Sequence, residues 1–211
     1  MESNKVSKAL LGRLPRYLEH LKSLPASGGD YISSAAVATA LGLGHVLVRK
    51  DFAKVSDGGH PKTGYLRREL IMDIESYLGY NNTTDAVIVG AGKLGQALLD
   101  YYGFHTYGMN VVAGFDINGL LRHTDEGKPI YPMEDLEGFC REQGILMGII
   151  TVPAEFAQEV CDRLVKCGIK AIWNFAAVPL SVPEDIVVQN ENLASSLTEL
   201  RMHLRIQLQS V

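Results

Sequence analysis

The chain has 211 residues, 46% of them hydrophobic and 21% charged, with a formal net charge of −4. That length suits a small module joined to a medium one, and the composition excludes fibrous, disordered and membrane-embedded classes. No apolar run approaches the ~20 residues that cross a bilayer, and the opening Met1-Glu2-Ser3-Asn4-Lys5 lacks the apolar core of a signal peptide, so a cytoplasmic protein without membrane contact is expected.

The three cysteines, Cys140, Cys161 and Cys167, are odd in number and have no zinc-ligand spacing. Reduced thiols and no metal site are expected. The charge is unevenly spread: residues 1–80 hold eleven basic and eight acidic side chains, a net +3, while the remainder is −7. Only the front half suits a polyanion.

In chain order, residues 6–22 place Val6, Leu10, Leu14, Tyr17, Leu18 and Leu21 at helical spacing, and Pro15 inside the run predicts a kink or a first-turn position. Pro25-Ala26-Ser27-Gly28-Gly29-Asp30 ends that element. Ser33 and Ser34 suit the N-cap of a short helix, Ala35–Leu41, which Gly42-Leu43-Gly44 stops. A second helix, His45–Val55, follows at once. Two short helices joined by a tight glycine turn make a helix-turn-helix, with Arg49 and Lys50 on the exposed side and Val46, Val48 and Phe52 available for packing. Residues 57–64 are turn chemistry long enough for a β-hairpin wing, and Tyr65–Leu78 returns to helical spacing. A winged-helix DNA-binding domain is thus predicted for residues 1–80, closed by Gly79 and a polar stretch.

Beyond it strands and helices alternate: Asp85–Val89, Val111–Asp116, Ile145–Thr151, Lys170–Phe175 and Ile186–Val188 read as strands, and Lys93–Tyr102, Met133–Gln143 and Pro153–Cys167 as helices. This predicts an α/β, doubly wound parallel sheet over residues 85–190. Leu193, Leu197, Leu200, Leu204 and Leu208 then line an amphipathic helix within residues 191–211.

The first of those strands runs into Gly90-Ala91-Gly92-Lys93-Leu94-Gly95, a G-x-G-x-x-G turn opening a helix, and Asp116 closes the next strand twenty-one residues beyond Gly95. In a dinucleotide site the first glycine allows the tight turn, the second leaves room for the pyrophosphate and the third lets the helix approach the sheet. The helix start directs N–H groups at phosphate, and Lys93 adds charge. A carboxylate at Asp116 would accept from the adenine ribose hydroxyls and repel a 2′-phosphate, favouring NADH and NAD over their phosphorylated forms. A CoA-binding module is the rival reading of the same turn.

A hydride-transferring enzyme needs a positioned acid or base. His105 and His123 stand alone in loops, and Tyr101 and Tyr102 lack a lysine four residues on. Thr151-Val152-Pro153 and the segment from Asn174 to Pro179 give the cleft unreactive walls. No catalytic residue is assigned, so an NAD-dependent oxidoreductase with an accessory helical domain is the weaker alternative.

Arg13-Leu14-Pro15, Tyr17-Leu18, Val48-Arg49-Lys50-Asp51-Phe52, Gly64-Tyr65, the run from Gly90 to Leu98, Phe115-Asp116, Thr151-Val152-Pro153-Ala154, Gly168-Ile169-Lys170 and Asn174-Phe175-Ala176 together resemble the redox-sensing transcriptional repressor (Rex) family, over nearly the whole chain. The resemblance implies a homodimer that binds double-stranded operator DNA through paired winged helices and releases it when NADH binds, NAD competing. It also implies that the C-terminal helix is swapped between subunits. DNA contacts are then expected from Ser33, Ser34, His45, Arg49, Lys50, Lys54 and Lys62. Cofactor contacts are expected from Gly90, Ala91, Gly92, Lys93, Leu94, Gly95, Asp116, Tyr101, Thr151, Val152, Pro153 and Asn174, with Leu193 of the partner subunit. Several family members pair an Arg of the first helix with an Asp near the swapped helix, but those positions here are Glu19 and Asn192, so that ion pair is absent. The wing, Ser56-Asp57-Gly58-Gly59-His60-Pro61-Lys62, also lacks the aromatic, glycine-rich character usual in the family.

Overall fold

The computed structural model describes residues 7–25, 29–118 and 122–209, without the side chains of Lys8 and Leu193. Val6 and residues 26–28, read above as a helix start and a turn, therefore lie outside it. The chain falls into two units, Met1–Asn82 and Thr83–Val211.

In the first unit, α1 (Lys8–Ser23) runs unbroken through Pro15, well past its first turn. Its stripe of Leu10, Leu14, Tyr17, Leu18 and Leu21 is buried, and α1 packs against α4 (Arg67–Leu78). Between them lie β1 (Tyr31–Ile32), α2 (Ser34–Leu41), α3 (His45–Val55), β2 (Gly59–His60) and β3 (Gly64–Leu66). The Ser33 hydroxyl accepts from the Ala36 N–H at 3.0 Å and caps α2. Gly42, at φ 65°, ends it in the left-handed region that favours glycine.

Two sequence expectations change here. Tyr65 belongs to a strand, because β3 pairs antiparallel with both β1 and β2, and its ring sits edge-on to Phe52, centroids 5.4 Å apart. β1, too short to show a period of two, had no sequence signal. Val46 does not pack in the core: it is 57% exposed, while Val48 and Phe52 are fully buried.

In the second unit, β4 (Thr84–Val89), β5 (Met109–Asp116), β6 (Ile130–Pro132), β7 (Met147–Ile150), β8 (Ala171–Asn174) and β9 (Val187–Asn190) form one sheet in the order β6-β5-β4-β7-β8-β9. Every pairing in it is parallel. On one face Val87, Val89, Phe115 and Ile150 pack with Leu136 of α6 (Leu136–Gln143) and Leu164 of α7 (Ala154–Lys166). On the other, Ile88 and Ile149 meet Leu99 of α5 (Lys93–Leu99) and Phe104. The glycine-turn helix is shorter than predicted, ending at Leu99 and followed by a 3-10 helix, Tyr102–Tyr107. β6 was not anticipated: three residues long, it is specified by pairing with β5. Strand order reverses between β4 and β7, and the carboxyl ends of those two strands open the crevice where α/β sheets bind ligands. α8 (Leu193–Gln209) ends the described chain, with Leu197, Leu200, Leu204 and Leu208 all more than half exposed. No described helix is long and apolar enough to cross a membrane.

Candidate dinucleotide and DNA sites

The turn after β4 separates its three glycines by what surrounds them. Gly90 has φ +100°, and a Cβ there would stand 2.8 Å from Val152 Cγ1 and 2.9 Å from the Thr151 carbonyl carbon. A Cβ on Gly95 would overlap the Gly90 carbonyl oxygen and lie 2.9 Å from Thr151 Oγ1. At Gly92, whose φ of −70° suits any residue, a Cβ would meet nothing within 4 Å. The fold itself demands the first and third glycines. The second leaves a gap that folding does not use, at the start of α5.

Side chains lock this turn. Thr151 Oγ1 donates to the Gly90 carbonyl at 2.6 Å, and Gln96 Nε2 donates to the Ala91 carbonyl at 2.7 Å. Asp116, half-buried at the end of β5, accepts from the Ala91 N–H at 2.6 Å through Oδ2 and from the Asn118 N–H at 2.8 Å through Oδ1. The acidic residue thus braces the glycine turn, a role its spacing did not reveal. Spacing along the chain gives no sign of the Gln96 contact. Ala91 is buried, Lys93 and Leu94 are exposed beside the gap, Val152 is half-buried, and Pro153 precedes α7. Tyr101 is 56% exposed, edge-on to Phe104 at 4.9 Å. An open gap at Gly92, a helix start and a half-buried carboxylate fit a dinucleotide.

The Asn174 amide, expected at the crevice, is spent on protein partners. Its Nδ2 donates to the Val178 carbonyl and to Asn190 Oδ1, both at 2.8 Å, and its Oδ1 accepts from the Ala176 N–H at 3.0 Å. Fully buried, with both amide hydrogens committed, it fastens β8 to β9 and to the loop after it. Leu193 begins α8, but its side chain lies outside the description.

All three thiols are buried; burial first, then the neighbouring Cys167, pushes the Cys140 thiol up to about 12, and burial raises Cys161 and Cys167 as well. His105 lies at the surface 5.0 Å from the Tyr102 ring, and His123 is exposed in a loop. Among the described residues no three His, Cys, Asp or Glu side chains gather where a metal could bind.

In the first unit the exposed face of α3 carries Arg49, Lys50 and Lys54. His45 Nε2 lies 3.4 Å from Thr39 Oγ1, joining the start of α3 to α2. Ser33 is exposed but its hydroxyl already caps α2, and Ser34 is half-buried. Lys62 stands at the wing tip with φ 70°, the one described non-glycine residue with positive φ. The residue that sequence reasoning passed over is Asp51, 3% exposed in the middle of this basic helix. It accepts from Arg13 Nε at 2.7 Å, from Arg13 Nη2 at 2.9 Å and from the Tyr17 hydroxyl at 2.8 Å. Burial, reinforced by the Asp51 hydrogen bond, pushes the Tyr17 phenol up to about 12. A lone acid inside V-R-K-D-F was the available signal, but its partners lie 34 and 38 residues away.

A winged helix-turn-helix with a basic recognition face, on the same chain as a Rossmann sheet with its dinucleotide turn, defines a nucleotide-responsive DNA-binding regulator. Residues 81–178 match the family model described as the CoA binding domain, and residues 5–53 match the one described as the N-terminus of a putative DNA-binding protein. The redox-sensing transcriptional repressor Rex of Carboxydothermus hydrogenoformans is 40% identical over 210 residues, covering 97% of this chain and 99% of its own. That of Bacteroides fragilis is 39% identical, covering 93% and 90%. Both are named as repressors, not enzymes. The chain belongs to the Rex family. Among solved structures, the Rex-family repressor RSP in complex with β-NAD+ and operator DNA superposes with a TM-score of 0.89 at 34% identity, covering 97% of this chain and 95% of that one. RSP with β-NADH gives 0.84 at the same identity, covering 97% of each.

Proposed function

We propose that this chain is a transcriptional repressor that senses the NADH/NAD ratio, holding operator DNA as a cytoplasmic homodimer and releasing it when NADH binds. The observation that carries the reading is the gap at Gly92: the turn is shaped for a dinucleotide by a glycine the fold does not need. Gly90, Ala91, Gly92, Lys93, Leu94, Gly95 and Asp116 receive the dinucleotide, and Tyr101, Thr151, Val152 and Pro153 form the apolar end of the crevice. An apolar wall disfavours the positive charge of oxidised nicotinamide. A preference of ~1–3 kcal/mol for NADH in the DNA-incompetent dimer would shift operator affinity about 5–150-fold.

Arg49 and Lys50 reach the major groove, and Lys54 and Lys62 the phosphate backbone, with His45, Ser33 and Ser34 at the entry of the helix-turn-helix. Residues 191–211 supply the dimer contact through the apolar stripe of α8. Two recognition helices must present themselves about one helical turn of DNA apart, roughly 34 Å, or a multiple of it. A ligand that changes their separation releases the duplex.

The test is an operator-binding titration at fixed salt, with NADH, NAD or neither, on the wild type and on Gly92→Val. The wild type should lose the duplex with NADH and keep more of it with NAD; Gly92→Val should hold it under both. Equal responses to the two nucleotides would remove the redox part of the reading, and tighter binding of CoA than of NADH would replace the ligand.

A further inference from the structure

On α3 the residues Val46, Arg49, Lys50 and Ala53 follow the spacing i, i+3, i+4, i+7 and form one strip. All four are exposed. Val46 is 57% exposed although the core is two residues away, in Val48, which is fully buried. Lone exposed aliphatic side chains are ordinary. This one, however, sits at the second position of the recognition helix, behind an N-cap, Gly44, that has no side chain. It is the first side chain of the strip, and Arg49 and Lys50 flank it one turn on. Leu47, 38% exposed, lies about 100° around toward Lys54.

Residues at the N-terminal end of a recognition helix meet base edges. The major groove offers hydrogen-bonding groups at every base pair but one apolar feature, the thymine 5-methyl group. A branched aliphatic side chain there cannot satisfy donors or acceptors, and would leave them dehydrated and unpaired. It gains by covering a methyl. We infer that Val46 reads the 5-methyl of a thymine in each half-site of the operator, next to the bases addressed by Arg49 and Lys50. This rests on the repressor reading above and adds a rule of base preference to it.

The experiment selects duplexes for the wild-type protein from a randomised library. Each thymine of the selected site is then replaced by deoxyuridine, which pairs identically but lacks the methyl, symmetrically in both half-sites. At one position the wild type should lose about fourfold per methyl, roughly 15-fold for the pair. Val46→Ser should bind the thymine and uracil duplexes equally well, whereas Lys54→Ala should weaken both equally and keep their ratio. If no uracil substitution weakens the wild type, or if the effect survives undiminished in Val46→Ser, the inference is wrong; the repressor reading still stands provided NADH releases the same duplex. Failure to select any duplex would sink both.

Discussion

Arg13 of the first helix grips Asp51 of the recognition helix through two hydrogen bonds, at 2.7 and 2.9 Å, with Tyr17 completing the cluster at 2.8 Å. The carboxylate is buried and the guanidinium only partly exposed, so the pair fixes how α3 is held while Arg49 and Lys50 face outward. A buried carboxylate that accepts three hydrogen bonds is a positioning device; an unpaired one is a liability.

Removing one partner should therefore cost more than removing a surface ion pair. Asp51→Ala is expected to destabilise the first unit by about 3 kcal/mol, read as a lower unfolding midpoint, and to weaken operator binding. NADH titrated into the free protein should bind as before. An unfolding midpoint unchanged by the substitution would show that the pair holds nothing.

The three glycines of the turn should behave differently. Gly95→Ala forces a Cβ into the Gly90 carbonyl and should cost roughly 1–3 kcal/mol or more in stability. Gly92→Val, where an added Cβ meets nothing within 4 Å but a glycine N-cap is lost, should cost no more than about 1 kcal/mol and still lose NADH binding by at least tenfold. Calorimetric unfolding and NADH fluorescence separate the two effects, and parallel losses at both positions would contradict the geometry.

Two limbs of the pH–stability profile belong to different units. The Tyr17 phenol, raised to about 12 from an ordinary 10.0 by burial and then by Asp51, is protonated in the folded chain where the unfolded chain ionises. Its contribution is complete below pH 10 and is lost as pH rises toward 12. Glu137 is the reverse: Arg163, bonded to it at 2.8 and 2.9 Å, holds its carboxyl below the ordinary 4.5. That contribution is complete above pH 4.5 and disappears on acidification through the lowered value. Tyr17→Phe should blunt the alkaline limb, and Glu137→Gln the acid one, in denaturant midpoints measured across pH.

α8 exposes Leu200 at 64% and Leu204 at 54%. If this stripe is the dimer contact, Leu200→Glu with Leu204→Glu should yield a single-subunit species in sedimentation and abolish operator binding, because one winged helix alone reaches half a palindrome. A dimer that survives the double substitution would place the interface elsewhere.

Arg49→Ala should lower operator affinity by about 1–3 kcal/mol and relax base preference at one position. Lys54→Ala should instead weaken all duplexes alike and reduce the salt slope by about one. Neither should change NADH affinity in the absence of DNA.

Asn192 Oδ1 accepts from the Ser195 N–H at 3.1 Å and caps α8, as an Asp there also would, and Glu19 of α1 is exposed.

Short-range pattern was enough to find the helix-turn-helix, the alternating strands and the glycine turn, since each is written in spacing along a few neighbouring residues: 3.6 for α1 and α3, a glycine at each fixed offset from β4. Folding in three dimensions decided the rest. Asp51 acquires its meaning from Arg13, 38 residues away, β6 exists because β5 offers it hydrogen bonds, Tyr65 is a strand residue because two neighbours pair with β3, and Asn174 is an internal brace because Val178, Ala176 and Asn190 consume its amide. Contacts between distant segments override local preference wherever an element is too short, or a polar group too buried, for its neighbours in sequence to satisfy it.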